Sequence, residues 1–283
     1  MYWKEMLGAI AKPNKNTEVF DLCTDYKFDG LQEYPRPQFQ RKSYINLNGM
    51  WDYRIISGKG QVVAYGSIQV PFSPETKLSK TKCHTLLPEE TLEYTKHFTM
   101  DKVKKTKHLL LHFDAVDQVA YVSLNGVNIG MHEGGYTSFT FDITDYVIEG
   151  ENELKLRVRD YTDRIGYGRG KQSLNPSGMW YSAQSGIWQT VWMEWVPAAY
   201  VVDMTMIPDI DNDKLDLVLK VSELKGRVVI TSSNQDLIKY VSLDKIKDDK
   251  LYVTINLNKY TLWTPENPIL NFINIEYGKD SFS

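Results

Sequence analysis

Cysteine is scarce in this sequence: Cys23 and Cys83 are the two thiols among 283 residues. Two are too few for a disulfide scaffold, and they lack the paired spacing of a zinc site. Both are expected to be free, in a reducing compartment. Net charge is nearly absent, at −3 with a pI of about 6.0. That removes the electrostatic case for nucleic acid or an anionic membrane as partner. No apolar run approaches the roughly 18 residues that a membrane span needs. The opening MYWKEMLGAIAKPNK has no apolar stretch of signal-peptide length. The chain is therefore expected to be soluble and cytoplasmic. Also missing is any long segment with the 3.6-residue period of an amphipathic helix. There are no internal repeats and no low-complexity tracts.

What is present suits β-sheets. The length exceeds one ordinary sandwich and is comfortable for two domains. Apolar residues make up 42% and aromatics 12%, with seven Trp and eighteen Tyr. Such rings suit sheets, and also platforms on which sugar C–H groups stack, but most are expected in the core. Residues 1–33 have weak periodicity, and Thr17–Cys23 reads equally as a helical turn or a strand. Tyr34-Pro35-Arg36-Pro37 is extended, since each proline disfavours a helical predecessor. Met50–Ile56, His108–Phe113, Gln118–Leu124 and Val127–Met131 read as strands. Asn125-Gly126 between the last two is a hairpin signal, because both turn residues need positive φ. Phe139, Phe141 and Ile143 alternate with polar residues, as do Leu154, Leu156 and Val158. Ile187–Val196 is apolar on both faces and is expected to be a central strand covered twice. Beyond Pro197 a second set follows: Val201–Ile207, Leu215–Val221, Arg227–Ser232, Lys239–Leu243, Leu251–Leu257 and Ile269–Tyr277. Their spacing is that of a sandwich with tight turns. The longest irregular stretch, Tyr161–Gly186, holds five glycines, and a loop of that length inside a compact domain is usually functional.

Several segments, taken in order, resemble glycoside hydrolase family 2, the family of β-galactosidases, β-glucuronidases and β-mannosidases. YPRPQFQRKSYINLNGMWDY (34–53) resembles its opening, VPFSPETKLS (70–79) the loop that follows, and YTKHFTM (94–100) its Tyr-x-Arg-x-Phe segment. LHFDAVDQVAYVSLNGVNIGMHEGGYTSFTFDIT (111–144) is the most specific match. GENELKLRVRDYTD (150–163) and the segment 169–197 complete the series. The resemblance implies an all-β chain. A jelly-roll, galactose-binding-like β-sandwich spans 34–197, with residues 1–33 an extension packed on it. An immunoglobulin-like β-sandwich spans 198–283, where LWTPENPILNFINIEYG (262–278) resembles closing strands. That second sandwich is expected to be truncated at Ser283, a few residues short of its last strand's end.

The resemblance also implies a bacterial protein in which a (β/α)8 barrel of about 250 residues follows and carries both catalytic glutamates. Retaining glycosidases need two carboxyl groups, a nucleophile and an acid/base, roughly 5–5.5 Å apart. No catalytic residue is therefore assigned here, and the chain alone is expected to be inactive. Glu89-Glu90 reads as a solvated loop, and Glu133 as a turn residue. Asp114 and Asp117 read as caps or turn partners. His84, His97, His108, His112 and His132 share no metal spacing. Neither cofactor nor metal is expected. By resemblance, Asp163, Arg169, Lys171, Gln172, Trp180 and Tyr181 are assigned to the sugar pocket or the barrel interface. The arginine and lysine would bond hydroxyls or a carboxylate, and the tryptophan would stack on a ring. One departure stands out. Ser177-Gly178 precede Met179-Trp180 where some family β-galactosidases carry a sugar-bonding aspartate, so a galactose contact is not carried over. The expected function is the non-catalytic front of a retaining glycosidase, with carbohydrate, the barrel and another copy of the chain as partners. The alternative is a stand-alone carbohydrate-binding protein.

Overall fold

The computed structural model of the chain describes residues 32–104, 106–164, 166–223, 227–232, 235–241, 246–247, 250–257 and 260–283. Thr17–Cys23, the packing of the N-terminal extension and the state of Cys23 lie outside the described residues. Cys83 is free and exposed.

The described residues form two antiparallel β-sandwiches and no α-helix. The first has a six-stranded sheet, in the order Val62–Val70, Gly49–Ile56, Thr91–Met100, Gly150–Arg159, Val119–Leu124, Val127–Glu133. Facing it is a four-stranded sheet of Tyr44–Asn46, Val191–Pro197, Lys107–Phe113 and Phe139–Asp142. The inward faces meet in one core containing Trp51, Ile55, Ile68, Tyr94, Leu111 and Phe113. Trp51 meets Tyr94 edge-on, with centroids 6.3 Å apart, the geometry that ring quadrupoles favour.

Local signals place most strands. Asn125 (φ 52°) and Gly126 (φ 81°) make the hairpin turn. Leu154, Leu156 and Val158 are buried, whereas Lys155 and Arg157 are exposed. Val191–Val196 is buried throughout and lies between two strands of its sheet. In the two large sheets of the first sandwich three strands were not anticipated, one of them the three-residue Tyr44–Asn46. Val62–Val70 is an edge strand whose first six residues are largely exposed, so it shows no apolar alternation. In Thr91–Met100 the alternation of Leu92, Tyr94 and Phe98 is interrupted by Lys96, whose Nζ donates to the Met50 carbonyl at 2.9 Å.

The second sandwich pairs Val201–Asp209, Lys214–Val221, Lys250–Asn256 and Ile246–Lys247 in one sheet. Gln235–Val241, Val228–Ser232, Ile273–Tyr277 and Asp280–Phe282 form the other. Counted along the chain, this is the A-B-E-D and C′-C-F-G order of immunoglobulin-like domains. The strand expected over Ile269–Tyr277 begins only at Ile273, and Ile269, Leu270 and Phe272 are exposed.

The two sandwiches meet at a buried ionic hub. Glu194, fully buried on the central strand, accepts from Tyr34 Oη at 3.0 Å, Arg36 Nη2 at 2.7 Å and Arg41 Nη1 at 2.8 Å. Arg41 also holds Asp280 of the second sandwich through two 2.8 Å bonds, and donates to the Val201 carbonyl at 2.6 Å. His112 stacks on Trp192 at 3.9 Å, its Nε2 3.3 Å from Glu194. The arginines of the Pro-Arg-Pro…Arg segment thus fasten the chain's lead-in to both sandwiches. Phe39, between them, packs in the second core against Phe282, with ring centroids 4.2 Å apart.

Candidate functional site

The irregular stretch after Arg159 lies at one end of the first sandwich, tied down by two short strand pairs. Gln172–Ser173 runs parallel to Tyr181–Ser182, and Gly186–Ile187 pairs with Val116–Asp117. The six residues assigned from the sequence divide into two groups.

Asp163 and Gln172 hold the loop itself. Asp163 Oδ2 accepts from Ser173 Oγ at 2.8 Å and from the Leu174 amide at 3.2 Å. The Ser173 bond is the main reason its carboxyl group lies below the usual aspartate range, with the Leu174 amide and Arg169 adding to it. Gln172 is buried. Its Nε2 donates to Asp117 Oδ2 at 2.9 Å and to Tyr136 Oη at 3.1 Å, and its Oε1 accepts from the Gln184 amide at 2.7 Å.

Arg169, Lys171, Trp180 and Tyr181 form the outer group. The Arg169 guanidinium lies over the Trp180 ring at 5.1 Å, a cation–π contact that orients both. Lys171 is exposed in a left-handed turn (φ 66°), and its carbonyl accepts from the Tyr181 amide at 2.9 Å. Trp180 is 39% exposed and Tyr181 65%. Met179 and Tyr136 are exposed nearby in the chain and in space respectively: Gly170 packs so tightly on Tyr136 that a Cβ there would lie 2.7 Å from its hydroxyl. The outer group presents aromatic faces with cationic hydrogen-bond donors, and no carboxylate pair.

Beneath it lies a buried acidic cluster that the sequence reading did not find. Asp117 is raised to about 7, first by burial, then by Asp160 and Glu75, against the lowering effect of the Gln172 bond. Burial also raises Glu75 and Asp160. Glu75 Oε1 accepts from the Leu86 amide at 3.1 Å and from Ser185 Oγ at 2.9 Å, joining the loop after Pro71 to the end of the Tyr161–Gly186 stretch. Asp117 Oδ1 has no hydrogen-bond partner among the described residues and packs against Gly135, where a Cβ would lie 2.3 Å away. The Gly-Gly-Tyr run thus lets the backbone close over Asp117. Asp114 accepts from Trp192 Nε1 at 3.0 Å, and Glu133 from Tyr167 Oη at 3.1 Å. Glu90 corrects the solvated reading: it is buried, bonded to His84 Nε2 at 2.8 Å and to the Leu87 amide at 2.9 Å, and only Glu89 is exposed. No group of three or more His, Cys, Asp or Glu suited to a metal occurs among the described residues.

Gly186 closes the stretch with φ 75° and sits on the Tyr94 hydroxyl, which accepts from the Ile187 amide at 3.2 Å. A Cβ at Gly186 would lie 2.1 Å from that buried oxygen. Gly186→Ala is therefore expected to destabilise by about 2 kcal/mol or more, combining overpacking with an unfavourable φ. Thermal melting checks it, and an unchanged midpoint would count against the stated packing.

Comparisons with known proteins agree with this architecture. Residues 61–190 match the family model described as glycosyl hydrolase 2 galactose-binding domain-like. A β-galactosidase of Thermoanaerobacter pseudethanolicus is 26% identical over 70% of this chain and 28% of its own length. A β-galactosidase of Halalkalibacterium halodurans is 27% identical over 78% of this chain and 22% of its own. A putative β-glucuronidase of Formosa agariphila is 24% identical over 95% of this chain and 33% of its own. The chain thus spans a third or less of these curated relatives. Among solved structures, a Faecalibacterium prausnitzii β-glucuronidase superposes with a TM-score of 0.64 at 20% identity, over 88% of this chain and 46% of that one. A β-glucuronidase of an uncultured Clostridium gives 0.62 at 18%, over 86% and 44%.

Proposed function

We propose, on the premise that the first sandwich is a galactose-binding-like domain of glycosyl hydrolase family 2, that this chain is the non-catalytic front of a retaining glycosidase. In this reading its loops wall a sugar pocket whose two carboxylates lie in the remainder of the protein. The observation that carries it is the division of the Tyr161–Gly186 loop. Asp163 and Gln172 brace it from within, while Arg169, Trp180 and Tyr181 face outward together. A stacked ring beside a guanidinium is suited to an aromatic–pyranose contact and to hydroxyl or carboxylate hydrogen bonds. The acids on the page serve other ends. Asp117 and Asp160 are buried in the scaffold beside the half-buried Glu75, and Glu194 is consumed by arginines. Partial coverage of relatives named as β-galactosidases and β-glucuronidases supports the same reading.

The test is made in the whole glycosidase. Trp180→Ala and Arg169→Ala are expected to raise KM for the glycoside about tenfold with little change in kcat, the pattern of lost ground-state binding. Unchanged KM with a lowered melting temperature would assign these residues to docking alone and contradict the pocket role.

A further inference from the structure

The outward face of the six-stranded sheet carries a second arrangement, away from the loop. Register aligns one residue from every strand in a single transverse row. Tyr65 is opposite Arg54, Arg54 opposite Glu93, Glu93 opposite Arg157, Arg157 opposite Tyr121, and Tyr121 opposite Met131. Directly opposite side chains on one sheet face are neighbours, so the row is a continuous strip. Glu93, only 15% exposed, sits at its centre and clamps both guanidiniums through their Nε atoms, that of Arg54 on Oε2 and that of Arg157 on Oε1 at 2.9 Å. The side chains of Arg54 and Arg157 are nonetheless 56% and 62% exposed. Their terminal nitrogens make no bond to any described residue and are left pointing to solvent as paired donors. Tyr65 is 81% exposed and Tyr121 43%. Beside the row runs a cleft of about 630 Å³ lined by Asp52, Tyr65, Thr95 and Lys155 among others.

We propose that this strip binds an anionic oligosaccharide, with sugar rings on Tyr65 and Tyr121 and a carboxylate or sulfate on Arg54 and Arg157. The donors decide the class. The row sets two guanidiniums against one carboxylate, while Asp52 and Glu153 line the adjoining cleft with Lys155. The adjacent Lys155 and Glu153 satisfy each other at 2.6 Å. A guanidinium held through Nε keeps its two terminal N–H groups for a ligand's planar or tetrahedral anion. Span decides the size. Tyr65 and Tyr121 are separated by four strand spacings of about 4.8 Å, or about 19 Å, which calls for several linked rings. The site requires nothing from the remainder of a glycosidase, so it stands or falls separately from the loop.

Calorimetric titration of the 283-residue chain tests it. The probes are a short oligogalacturonate, a short sulfated glycan and a neutral cello-oligosaccharide, each at low and at physiological salt. At least one acidic glycan is expected to bind at least about tenfold more tightly than the neutral one, the worth of a charge-assisted hydrogen bond. Its affinity should weaken as salt is raised. The Arg54→Gln/Arg157→Gln double variant should lose that preference, and Tyr65→Ala or Tyr121→Ala should weaken binding by all the glycans, with melting temperatures unchanged. Which acidic arm binds more tightly identifies the anion. Failure of both acidic glycans to bind at millimolar concentration would overturn the proposal, as would undiminished binding by the double-arginine variant. So would a dimer, seen by light scattering, that Tyr65→Arg splits, since the face would then be a protein interface.

Discussion

Replacing Glu194 with glutamine is expected to cost about 3–5 kcal/mol, the usual penalty for breaking a buried ion pair from one side. The substitution keeps the shape and removes the charge that Arg36 and Arg41 share. Arg41 would retain Asp280, but its Nη1 would face a neutral amide in a site closed to water. Burial alone would raise the Glu194 carboxyl. The His112 hydrogen bond and the attraction of Arg41 and Arg36 outweigh it and hold it at about 2. For an acid with a lowered folded pKa, the stabilisation is complete above the unfolded value near 4.5. It is lost as pH falls from there towards 2. Holding the carboxyl ionised down to about 2 is a stabilisation on the order of 3 kcal/mol. Thermal denaturation at pH 7 should show a midpoint lower by roughly 10 °C. Because Arg41 ties Glu194 to Asp280, the second sandwich should loosen as well. A midpoint within a degree or so of the parent would mean the hub contributes nothing net.

Asp117→Asn is expected to act in the opposite direction, and with the opposite pH dependence. The Asp117 carboxyl is raised from 3.8 to about 7, chiefly by burial and then by Asp160. An acid with a raised folded pKa contributes most below its unfolded value, and that contribution disappears as pH climbs towards 7. Across that window the parent chain forfeits up to about 4 kcal/mol at this one site. Asparagine has no charge to bury, and its oxygen can still accept from Gln172 Nε2. The variant should therefore match the parent near pH 4 and exceed its stability at pH 8, with the gap opening between those values. Taken together, the two sites favour the parent most near pH 4, where most of the Glu194 gain is present and little of the Asp117 contribution has been lost. Melting curves across pH 2–8 check both limbs. A variant less stable than the parent at pH 8 would show that Asp117 is ionised at no cost, and that the cluster is better solvated than its burial indicates.

Much of the fold could be read from local pattern because its cause is local. Asn125-Gly126 forms a hairpin through its own φ preferences, and Leu154, Leu156 and Val158 face inward through the two-residue period of a strand. Val191–Pro197 betrayed its central place by being apolar on both faces. The same run hid its most consequential residue. Glu194 sits among Trp, Met and Val, and nothing nearby in the chain explains it. Its partners Arg36 and Arg41 are 158 and 153 residues away. The acidic cluster escaped notice for the same reason, since Asp117 meets Gln172 across 55 residues and Ser185 meets Glu75 across 110. At the loop, residue types pointed to a sugar-facing surface, but which of them face outward was set by tertiary bonds. Gln172 turned inward to Asp117 and Tyr136, Asp163 to Ser173, and Trp180 outward under Arg169.

The central claim is that these residues scaffold a reaction carried out by carboxylates elsewhere in the protein. The direct measurement is release of chromophore from a β-galactoside and a β-glucuronide by the purified 283-residue chain. The account predicts a rate indistinguishable from buffer, with the folded state verified by a cooperative melt. Turnover within the ordinary enzymatic range of about 1–1000 per second would contradict it and place the reacting pair within these 283 residues.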